Sequence, residues 1–515
     1  MHALTEPLVA LVGAGPGNPG LLTVRAVECL ARADLVLYDY LVPVQLLDYA
    51  PEHAKRVCVN ELADCHPERI PHVNGLMVDA ARRGLRVVRL KGGDPLLFGR
   101  GGEEAEVLHA AGIAFEVVPG VTAALGAAAY TGIPLTHRLH SSAVAIVTGH
   151  EKSDKSQPNV NWAALAQFPG TIVIYMGLAR LPWIAQTLID HGLNPETPAA
   201  AIHAATTGRQ RTISTPLQEL PAAVAKAEIK APALIIIGPV VALRSELAWF
   251  EERPLFGKRV LVTRPRHQSA DLVRQLENLG ASVVMLPAVE VRALSDWSAV
   301  DRAIGQLHTY QWLVFTSANG VHAFVGRLRH LGRDLRALGS LRLAAIGPAT
   351  AKTLREYYLE PDVIPDDYCS ESLIAALRDR VRGLRILLAR ADRGRDLLRD
   401  ELSAVAEVEQ VAVYSQVDAV TQAFSEFLRD GPIDFVTLTS SNIARSLFRN
   451  LEDETRSLIQ SGAMRLVTIS PVTSAAVVEM GLPVAAEATA YTVDGVLAAL
   501  IALAQGKMAN GFGKS

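Results

Sequence analysis

This 515-residue sequence has few aromatic residues, few cysteines and a small net charge. Aromatic side chains make up 5% of the residues, there are four cysteines, and the formal net charge is −3. So small a charge predicts no general attraction to nucleic acid or to an anionic membrane. The cysteines form no CxxC pair, which argues against a dense disulfide framework and against a metal site. We therefore expect free thiols, no bound metal and a reducing cytoplasm.

Long apolar segments are also missing. The sequence has no uninterrupted apolar run of about eighteen residues, so no membrane-spanning helix is predicted. The N-terminus lacks a basic flank followed by an apolar core, and we expect no signal peptide. Half of the residues are nevertheless apolar, which is enough for well-buried cores. A chain of this length predicts about two to four domains.

The most informative segment is a glycine-rich loop, KGGDPLLFGRGGEE, at residues 91–104. Residues 85–90 before it are predicted to form a strand, and residues 103–111 a helix. Glycines between a strand and a helix let backbone N–H groups approach a bound ligand closely. Asp94 adds a carboxylate suited to a ligand amine or hydroxyl. A simple surface turn is the alternative interpretation.

A second glycine loop, GAGPGNPG at residues 13–20, follows a predicted buried strand. It differs from a dinucleotide-binding fingerprint because its third glycine is Gly17, and because Pro16 and Pro19 interrupt the turn into the helix. A strand predicted at residues 34–40 contains Asp39 near its carboxyl end, where open α/β sheets place reactive groups. A turn or helix-capping aspartate is the alternative.

Predicted strands alternate with turns and small-residue helices through residues 115–238, which indicates an α/β fold. In chain order the motifs are GAGPGNPGLLT, VLYDYLV, KGGDPLLFGRGGEE, VVPGVTAA, GIPLTHR, VTGH and IYMG. In this order they resemble the tetrapyrrole methyltransferases, and within them the uroporphyrinogen-III C-methyltransferases, across residues 8–250.

This resemblance implies two α/β domains with S-adenosylmethionine in the cleft between them, and a homodimer. It implies that Asp39 removes the proton that the methylated macrocycle must lose. At one of the implied contacts, this chain has Ala205 where relatives often carry glycine, which is a small change in the side chain. The residues that it places against S-adenosylmethionine are Pro16, Gly92, Gly93, Asp94, Leu97, Thr122, Ala123, Met176 and Ala205.

One position departs from the family pattern. After the strand near residue 58 the family usually has Gly-Lys, whereas this chain has Asn60 and Glu61. An acidic side chain there should repel a substrate rich in carboxylates. Either Arg69, Lys91 or Arg100 compensates, or the N-terminal half is slow, altered in specificity or non-catalytic.

The C-terminal half contains an internal repeat. Residues 251–257 are predicted to form a linker. Beyond it, FTSAN at 315–319 recurs as LTSSN at 438–442, and residues 345–350 recur at 468–473 with the same offset. The repeat predicts two similar α/β lobes, each with hydroxyl-rich loops at helix starts that suit anions. Helix capping is the alternative role for these hydroxyl groups.

The segments VTRP, FTSANGV, IGPATA, LTSSN and ISPVTS resemble the uroporphyrinogen-III synthases across about residues 257–505. This implies an open cleft between two lobes, with crossings near residues 291–297 and 411–420. It implies that Tyr414 assists loss of the substrate hydroxyl, with interface packing as the alternative. Further substrate contacts are implied at Arg264, Thr316, Ser317, Thr350, Thr439, Ser440 and Thr473.

Together the two resemblances predict a bifunctional enzyme of tetrapyrrole biosynthesis, with small-molecule substrates. It would cyclise hydroxymethylbilane to uroporphyrinogen III with inversion of ring D, then methylate it twice to precorrin-2 for sirohaem or cobalamin. Two alternatives stay open: the N-terminal half methylates another corrinoid, or it binds S-adenosylmethionine or tetrapyrrole without turnover. The predicted segments are a methylase at 1–250, the linker, a synthase at 258–505 and a disordered tail at 506–515.

Overall fold

The structure is a computed structural model that describes residues 7–61, 69–150, 160–394, 396–419, 427–429, 431–449 and 451–507. The chain forms two compact units. The first takes in the described residues up to Lys258 together with Arg274–Ser282. The second takes in Arg259–Val273 and the described residues from Val283 onward. Most of the predicted tail, residues 508–515, lies outside the described residues.

The first unit begins with a parallel sheet of spatial order β3-β2-β4-β1-β5. Its strands are β1 (Val9–Gly13), β2 (Leu35–Tyr38), β3 (Lys55–Cys58), β4 (Val87–Lys91) and β5 (Phe115–Val118). The helices around them are α1 (Val24–Leu30), α2 (Arg69–Arg82), α3 (Gly101–Ala110) and α4 (Ala123–Thr131). β1 and β4 are buried along their whole lengths, as expected for central strands of a covered sheet. Parallel pairing places the carboxyl ends of all five strands, and the glycine loops that follow β1 and β4, at one edge.

Lys91 belongs to this sheet rather than to the loop that the sequence predicts to begin there. It pairs in register with Gly13 of β1, and its side chain is only 4% exposed. A buried ammonium group needs a partner, and Glu104 of α3 supplies one at 2.9 Å. The strand therefore continues through a lysine because the following helix neutralises it.

The second half of this unit is a mixed sheet of order β6-β7-β10-β8-β9. Its strands are β6 (Val144–Thr148), β7 (Thr171–Tyr175), β8 (Pro198–His203), β9 (Arg211–Pro216) and β10 (Ala233–Ile237). β6 and β7 are parallel, and the remaining pairs are antiparallel. The accompanying helices are α5 (Trp162–Ala166), α6 (Leu181–Asp190), α7 (Leu220–Lys226) and α8 (Arg244–Leu247). The apolar faces of α6 and α7 close one core of this sheet.

The second unit contains two further five-stranded sheets, which form its two lobes. The first lobe has the order β12-β11-β18-β19-β20, with β11 (Arg259–Val262), β12 (Ser282–Met285), β18 (Phe435–Leu438), β19 (Arg465–Thr468) and β20 (Ala486–Glu487). The second has the order β13-β17-β16-β14-β15, with β13 (Val289–Arg292), β14 (Trp312–Phe315), β15 (Arg342–Ala345), β16 (Arg385–Ala391) and β17 (Glu407–Asp418).

Helices pack on both lobes of the second unit. Those of the second lobe are α10 (Ser298–Gly305), α11 (Ala318–His330), α12 (Pro348–Glu356), α13 (Ser370–Arg378) and α14 (Leu397–Ser403). Those of the first lobe are α15 (Ser441–Phe448), α16 (Asp453–Gln460), α17 (Pro471–Glu479) and α18 (Val493–Ala504). One more helix, α9 (Arg266–Asn278), follows β11, and its residues from Arg274 onward belong to the first unit. The largest apolar core of this unit lies in the second lobe, around Phe315 and Phe324.

The two lobes are not consecutive in the chain. The chain leaves the first lobe after β12, forms the second lobe from β13 to β17, and then returns to β18. The outward crossing lies at residues 286–288 rather than near 291–297, because Val289–Arg292 pairs as an edge strand with the end of β17. The repeated Thr-Ser segments follow equivalent central strands, β14 and β18. The α/β fold and the bilobal C-terminal half are thus confirmed.

None of the described helices has both the length and the apolar character required to cross a lipid bilayer. Among all the residues that the structure describes, no three His, Cys, Asp or Glu side chains are grouped so that they could hold a metal ion.

A glutamate in α9 is expected to make stability depend on pH. Burial raises the pKa of Glu277 from 4.5 to about 7. The folded protein therefore binds this proton more tightly than the unfolded chain does, and stability falls as pH rises from about 4.5 to 7. We expect Glu277→Gln to stabilise the protein by about 1–2 kcal/mol at pH 8 but not at pH 4.5.

Thermal unfolding of the two proteins at both pH values checks this expectation. Glu246→Gln is the matched control, because Glu246 is exposed on α8 and its replacement should change stability equally little at both pH values. An equal effect of Glu277→Gln at pH 4.5 and pH 8 would contradict the pH dependence.

Candidate functional sites

Three glycines meet where β1, β4 and β5 lead into their loops. A Cβ atom built on Gly120 would lie 2.2 Å from the carbonyl oxygen of Gly93, and one built on Gly13 would lie 2.6 Å from the same oxygen. No side chain fits at either position. Backbone hydrogen bonds of 3.2 and 2.8 Å also join Gly15 and Gly93 in both directions. The loops are therefore packed backbone against backbone, which fixes their geometry.

Asp94 holds two of these loops together. Its Oδ1 atom accepts hydrogen bonds from the backbone N–H groups of Leu96 and Leu97, at 2.8 and 3.2 Å. Its Oδ2 atom accepts one from the N–H group of Gly120, at 3.1 Å. The sequence predicts a carboxylate for a ligand amine or hydroxyl at this position. The structure shows that the same carboxylate also organises the protein backbone.

Tyr175, at the end of β7, connects the second sheet of this unit to the loop after β5. Its hydroxyl lies 2.6 Å from Oγ1 of Thr122 and accepts a hydrogen bond of 2.7 Å from the N–H group of Ala124. The ring of Phe98 packs on it with a centroid distance of 5.0 Å. Burial raises the pKa of Tyr175, so this hydroxyl stays protonated. The next residue, Met176, has a left-handed backbone (φ 53°) and is half exposed.

The loops after β1 and β8 also meet. The N–H group of Asn18 donates a hydrogen bond of 3.0 Å to Oγ1 of Thr206. A Cβ atom built on Gly17, next to Pro16, would lie 3.2 Å from the carbonyl oxygen of Ala205. The two sheets of the first unit are thus joined by direct contacts between their loops.

All nine predicted S-adenosylmethionine contacts lie on these loops or at the first residue of α4. None of the nine has a cationic side chain. Backbone groups, apolar side chains and one carboxylate suit a ligand that carries a sulfonium charge. The residues present therefore fit S-adenosylmethionine.

A cavity of about 220 Å³ opens beside Asp39, the residue that directly follows β2. Its polar walls include Asn60, Arg89, Lys91, Arg100 and Glu104. These side chains come from or follow β3 and β4, or belong to α3. The cavity therefore lies at the carboxyl edge of the parallel sheet, where the sequence predicts reactive groups.

Ion pairs connect the buried side chains of this cavity. Arg89 contacts Asp39 at 2.6 Å and Glu104 at 2.9 Å. Burial alone would lower the pKa of Arg89, but the carboxylates of Asp39 and Glu104 outweigh burial and raise it. Burial, and then the charge of Arg89, lower the pKa of Lys91. The guanidinium group of Arg89 is thus the more firmly charged of the two cations.

The structure also places the residues that depart from the family pattern. Asn60 Oδ1 accepts a hydrogen bond of 3.1 Å from the N–H group of Tyr40 and so supports the turn after Asp39. Glu61 is exposed. Among the three cations considered as compensation, Lys91 is bound to Glu104 and Arg100 lines the cavity with a half-exposed side chain. The side chain of Arg69 lies outside the described residues.

In the second unit, Tyr414 and Ser317 come together in one lobe. The Tyr414 hydroxyl lies 3.0 Å from Oγ of Ser317. Ser317 also caps α11, since its Oγ accepts a hydrogen bond of 3.0 Å from the N–H group of Gly320. Burial raises the pKa of Tyr414, so the hydroxyl is held in its protonated form. Thr316 precedes Ser317, and Thr350 is buried in the first turn of α12.

The other lobe holds the remaining predicted contacts at corresponding places. Ser440 caps α15, since its Oγ accepts a hydrogen bond of 3.2 Å from the N–H group of Ile443, and Thr439 precedes it. Thr473 lies in the first turn of α17, 3.2 Å from Oγ of Ser470. Arg264 follows β11, and burial lowers its pKa. The residues that cap these helices therefore lie on the same loops as the residues predicted to bind anions.

Sequence reasoning missed several residues that organise these sites. The sequence places Arg89 in a predicted strand, and Glu104 in the glycine-rich loop and the helix that follows it, but it predicts no role for either. Tyr175 belongs to the IYMG motif, but the sequence does not predict its contact with Thr122. The available signal is charge: in Val87–Lys91, Arg89 and Lys91 are cations and the other three residues are apolar, which predicts buried partners for the two cations.

Comparison with known proteins gives each half a family. A model described as tetrapyrrole (corrin/porphyrin) methylases matches residues 8–221. A model described as uroporphyrinogen-III synthase HemD matches residues 270–498.

Two relatives align with more than half of the chain. The porphyrin biosynthesis protein HemD of Ruminiclostridium josui is 35% identical over 449 residues, covering 86% of this chain and 89% of that protein. The uroporphyrinogen-III C-methyltransferase of Bacillus subtilis (strain 168) is 36% identical over 378 residues, covering 73% and 77%. A crystal structure of uroporphyrin-III C-methyl transferase from Thermus thermophilus complexed with S-adenyl homocysteine is 40% identical, covers 45% of this chain and 92% of that chain, and has a TM-score of 0.39.

The protein is an enzyme of the tetrapyrrole-biosynthesis class. It belongs to the tetrapyrrole methylase family through its N-terminal half and to the uroporphyrinogen-III synthase family through its C-terminal half, as a fusion of the two.

Proposed function

We propose that this chain carries out two successive reactions on one tetrapyrrole. The C-terminal half cyclises hydroxymethylbilane to uroporphyrinogen III with inversion of ring D. The N-terminal half then methylates uroporphyrinogen III twice to give precorrin-2, for the sirohaem or cobalamin branch. The observation that carries the proposal is the fusion itself, because one relative spans 86% of this chain with both halves aligned. Uroporphyrinogen III would be the product of the C-terminal half and the substrate of the N-terminal half, which gives a chemical reason for joining the two in one chain.

In the N-terminal half, the glycine loops hold the methyl donor and the cavity beside Asp39 receives the macrocycle. S-adenosylmethionine supplies an electrophilic methyl group when it is bound. Asp39 accepts the proton that leaves the methylated macrocycle, since its carboxylate lines the cavity. The backbone-packed loops keep the position of the donor fixed relative to this carboxylate.

In the C-terminal half, Tyr414 donates a proton to the departing hydroxyl of hydroxymethylbilane. The helix starts that follow β11, β14, β15, β18 and β19 offer N–H groups to the carboxylates of the substrate. Elimination and ring closure then proceed while these groups hold the flexible chain of rings. We place the domain boundaries at 250 and 258, and expect a cytoplasmic homodimer that binds neither nucleic acid nor membrane.

Purified protein supplied with uroporphyrinogen III and S-adenosylmethionine tests the methylase half directly. We expect a product that is heavier by two methyl groups, identified by mass spectrometry. A second candidate is an N-terminal half that binds without turnover, which the exposed Glu61 in place of the family lysine favours. Binding of S-adenosylmethionine by calorimetry, with no mass change in the tetrapyrrole, would support that candidate and contradict the proposal.

Tyr414→Phe tests the synthase half. It keeps the ring but removes the hydroxyl that lies 3.0 Å from Ser317. We expect the rate of uroporphyrinogen III formation to fall by at least about tenfold, because a positioned acid is lost. Tyr310→Phe is the control, since Tyr310 precedes β14 at the opposite edge of the same sheet and bonds Glu409. Equal rates for the two variants would remove Tyr414 from the mechanism.

A further inference from the structure

The cavity beside Asp39 contains four ionisable side chains in contact with one another: Asp39, Arg89, Lys91 and Glu104. Their exposures are unequal. The side chains of Arg89, Lys91 and Glu104 are 5%, 4% and 7% exposed, whereas that of Asp39 is 29% exposed. The buried side chains of Arg89, Lys91 and Glu104 thus form a connected group behind one accessible carboxylate, that of Asp39.

Every nitrogen of the Arg89 guanidinium group is engaged. Nη2 donates to Oδ1 of Asp39 at 2.6 Å, and Nε donates to Oε1 of Glu104 at 2.9 Å. Nη1 lies 3.3 Å from the carbonyl oxygen of Leu37 and 3.4 Å from that of Leu90. These bonds leave the planar group no alternative orientation, so it fixes the oxygen that it contacts.

Glu104 keeps Arg89 in this position. Its Oε1 atom accepts from both Arg89 and Lys91, each at 2.9 Å. Its buried Oε2 atom has no hydrogen-bond partner among the described residues. The buried charge of Glu104 is thus paired with two cations, Arg89 and Lys91. If either cation is removed, the other still pairs with Glu104.

Asp39 is bound on one side only. Its Oδ1 atom contacts Arg89, while Oδ2 makes no hydrogen bond within the described part of the chain. The turn after Asp39 is held by the hydrogen bond between Tyr40 and Asn60. One oxygen is therefore anchored and the other is left for a ligand in the cavity.

We propose that Arg89 is a positioning residue for methyl transfer: anchored by Glu104, it holds one oxygen of Asp39 so that the other faces the macrocycle. This inference rests on the proposed methyltransferase function. Arg89 itself acts through Asp39 and removes no proton.

The test compares Arg89→Ala and Arg89→Lys with the wild-type full chain, using uroporphyrinogen III and S-adenosylmethionine. Because Lys91 still neutralises Glu104, we expect the variants to fold. We expect kcat to fall about 100-fold in Arg89→Ala, since a displacement of about 1 Å of a reacting group has an effect of this size. The KM for S-adenosylmethionine should change less than about threefold, as its contacts are untouched. Arg82→Ala, at an exposed position in α2, is the matched control and should leave kcat unchanged.

Chemical rescue separates positioning from general destabilisation. Added methylguanidinium should restore at least a tenth of wild-type kcat to Arg89→Ala, because it can refill the space and bond Asp39 and Glu104 again. It should not affect Asp39→Ala, which lacks the group to be positioned. Arg89→Lys should keep more activity than Arg89→Ala, but less than wild type, since an ammonium group cannot bond both carboxylates in the same geometry.

The possible results distinguish the positioning role of Arg89 from the proposed methyltransferase function. Wild-type activity in Arg89→Ala, or a loss of kcat that occurs together with lost S-adenosylmethionine binding and is not rescued, would overturn the positioning role alone. A wild-type protein that binds S-adenosylmethionine but methylates no uroporphyrinogen III would overturn the proposed function and, with it, this inference.

Discussion

Asp39→Asn is expected to lower the kcat of methyl transfer by about 100- to 10,000-fold, the range that general-base groups contribute. The side chain keeps its size and can still accept a hydrogen bond from Arg89, which contacts Asp39 at 2.6 Å. What it loses is the ability to take a proton from the methylated macrocycle. Steady-state rates with uroporphyrinogen III, and calorimetry with S-adenosylmethionine, measure the two properties separately.

Binding of S-adenosylmethionine should be unchanged in Asp39→Asn, because the glycine loops are not altered. Asp48→Asn serves as the control, since Asp48 is exposed in the same unit and should leave kcat at the wild-type value. The rate of uroporphyrinogen III formation from hydroxymethylbilane should also be unchanged. An Asp39→Asn enzyme that keeps more than about a tenth of wild-type kcat would exclude Asp39 as the base.

Gly120→Ala is expected to disrupt the site for S-adenosylmethionine. The added methyl group would lie 2.2 Å from the carbonyl oxygen of Gly93, and the backbone around it would have to move. Such overpacking typically costs about 1–3 kcal/mol, and rigid backbone neighbours favour the upper end. This movement would also disturb the hydrogen bond that the backbone N–H group of residue 120 donates to Asp94. We expect the melting temperature of the methylase half to fall and the affinity for S-adenosylmethionine to drop by more than about tenfold.

Gly102→Ala provides a matched control for this change. Gly102 lies within α3 and a Cβ atom there would meet nothing within 4 Å. Alanine in a helix should stabilise by about 0.4–1 kcal/mol. If Gly120→Ala bound S-adenosylmethionine as tightly as Gly102→Ala, the close packing of the glycine loops would have no part in holding the ligand.

The sequence was sufficient to predict the parts of the first unit that depend on local chemistry. The strand predicted at residues 34–40 has Asp39 near its carboxyl end, and this predicts the carboxyl edge of the sheet for Asp39, where it is found directly after β2. The ion pairs behind it were not predictable in this way. Arg89 and Glu104 are separated along the chain, and only the packing of α3 on the sheet shows that they meet at 2.9 Å.

Asp94 shows a different limit. Its position in a glycine loop predicts a carboxylate near a ligand. Two of its three backbone hydrogen bonds come from Leu96 and Leu97 in the same loop, but the third comes from Gly120 in the loop after β5. A linear sequence does not specify how two distant loops approach each other. The role in shaping the protein was therefore missed.

In the second unit, the repeat of the Thr-Ser segments correctly predicted two similar lobes. The edge strand β13 was not anticipated, which is why the predicted crossing was placed too late in the chain. Val289–Arg292 has the short alternating pattern of many edge segments, and its place is set by pairing with the far end of β17. The residue pattern of a four-residue strand does not show which distant strand it pairs with.

A single coupled assay can show whether one chain closes the macrocycle and then methylates it. Full-length protein is supplied with hydroxymethylbilane, with and without S-adenosylmethionine, and the products are separated by chromatography and identified by mass spectrometry. We expect uroporphyrinogen III alone in the absence of S-adenosylmethionine, and a product with two additional methyl groups in its presence. Accumulation of the type I isomer in both reactions, or of unmethylated type III in the presence of S-adenosylmethionine, would contradict the proposed bifunctional activity.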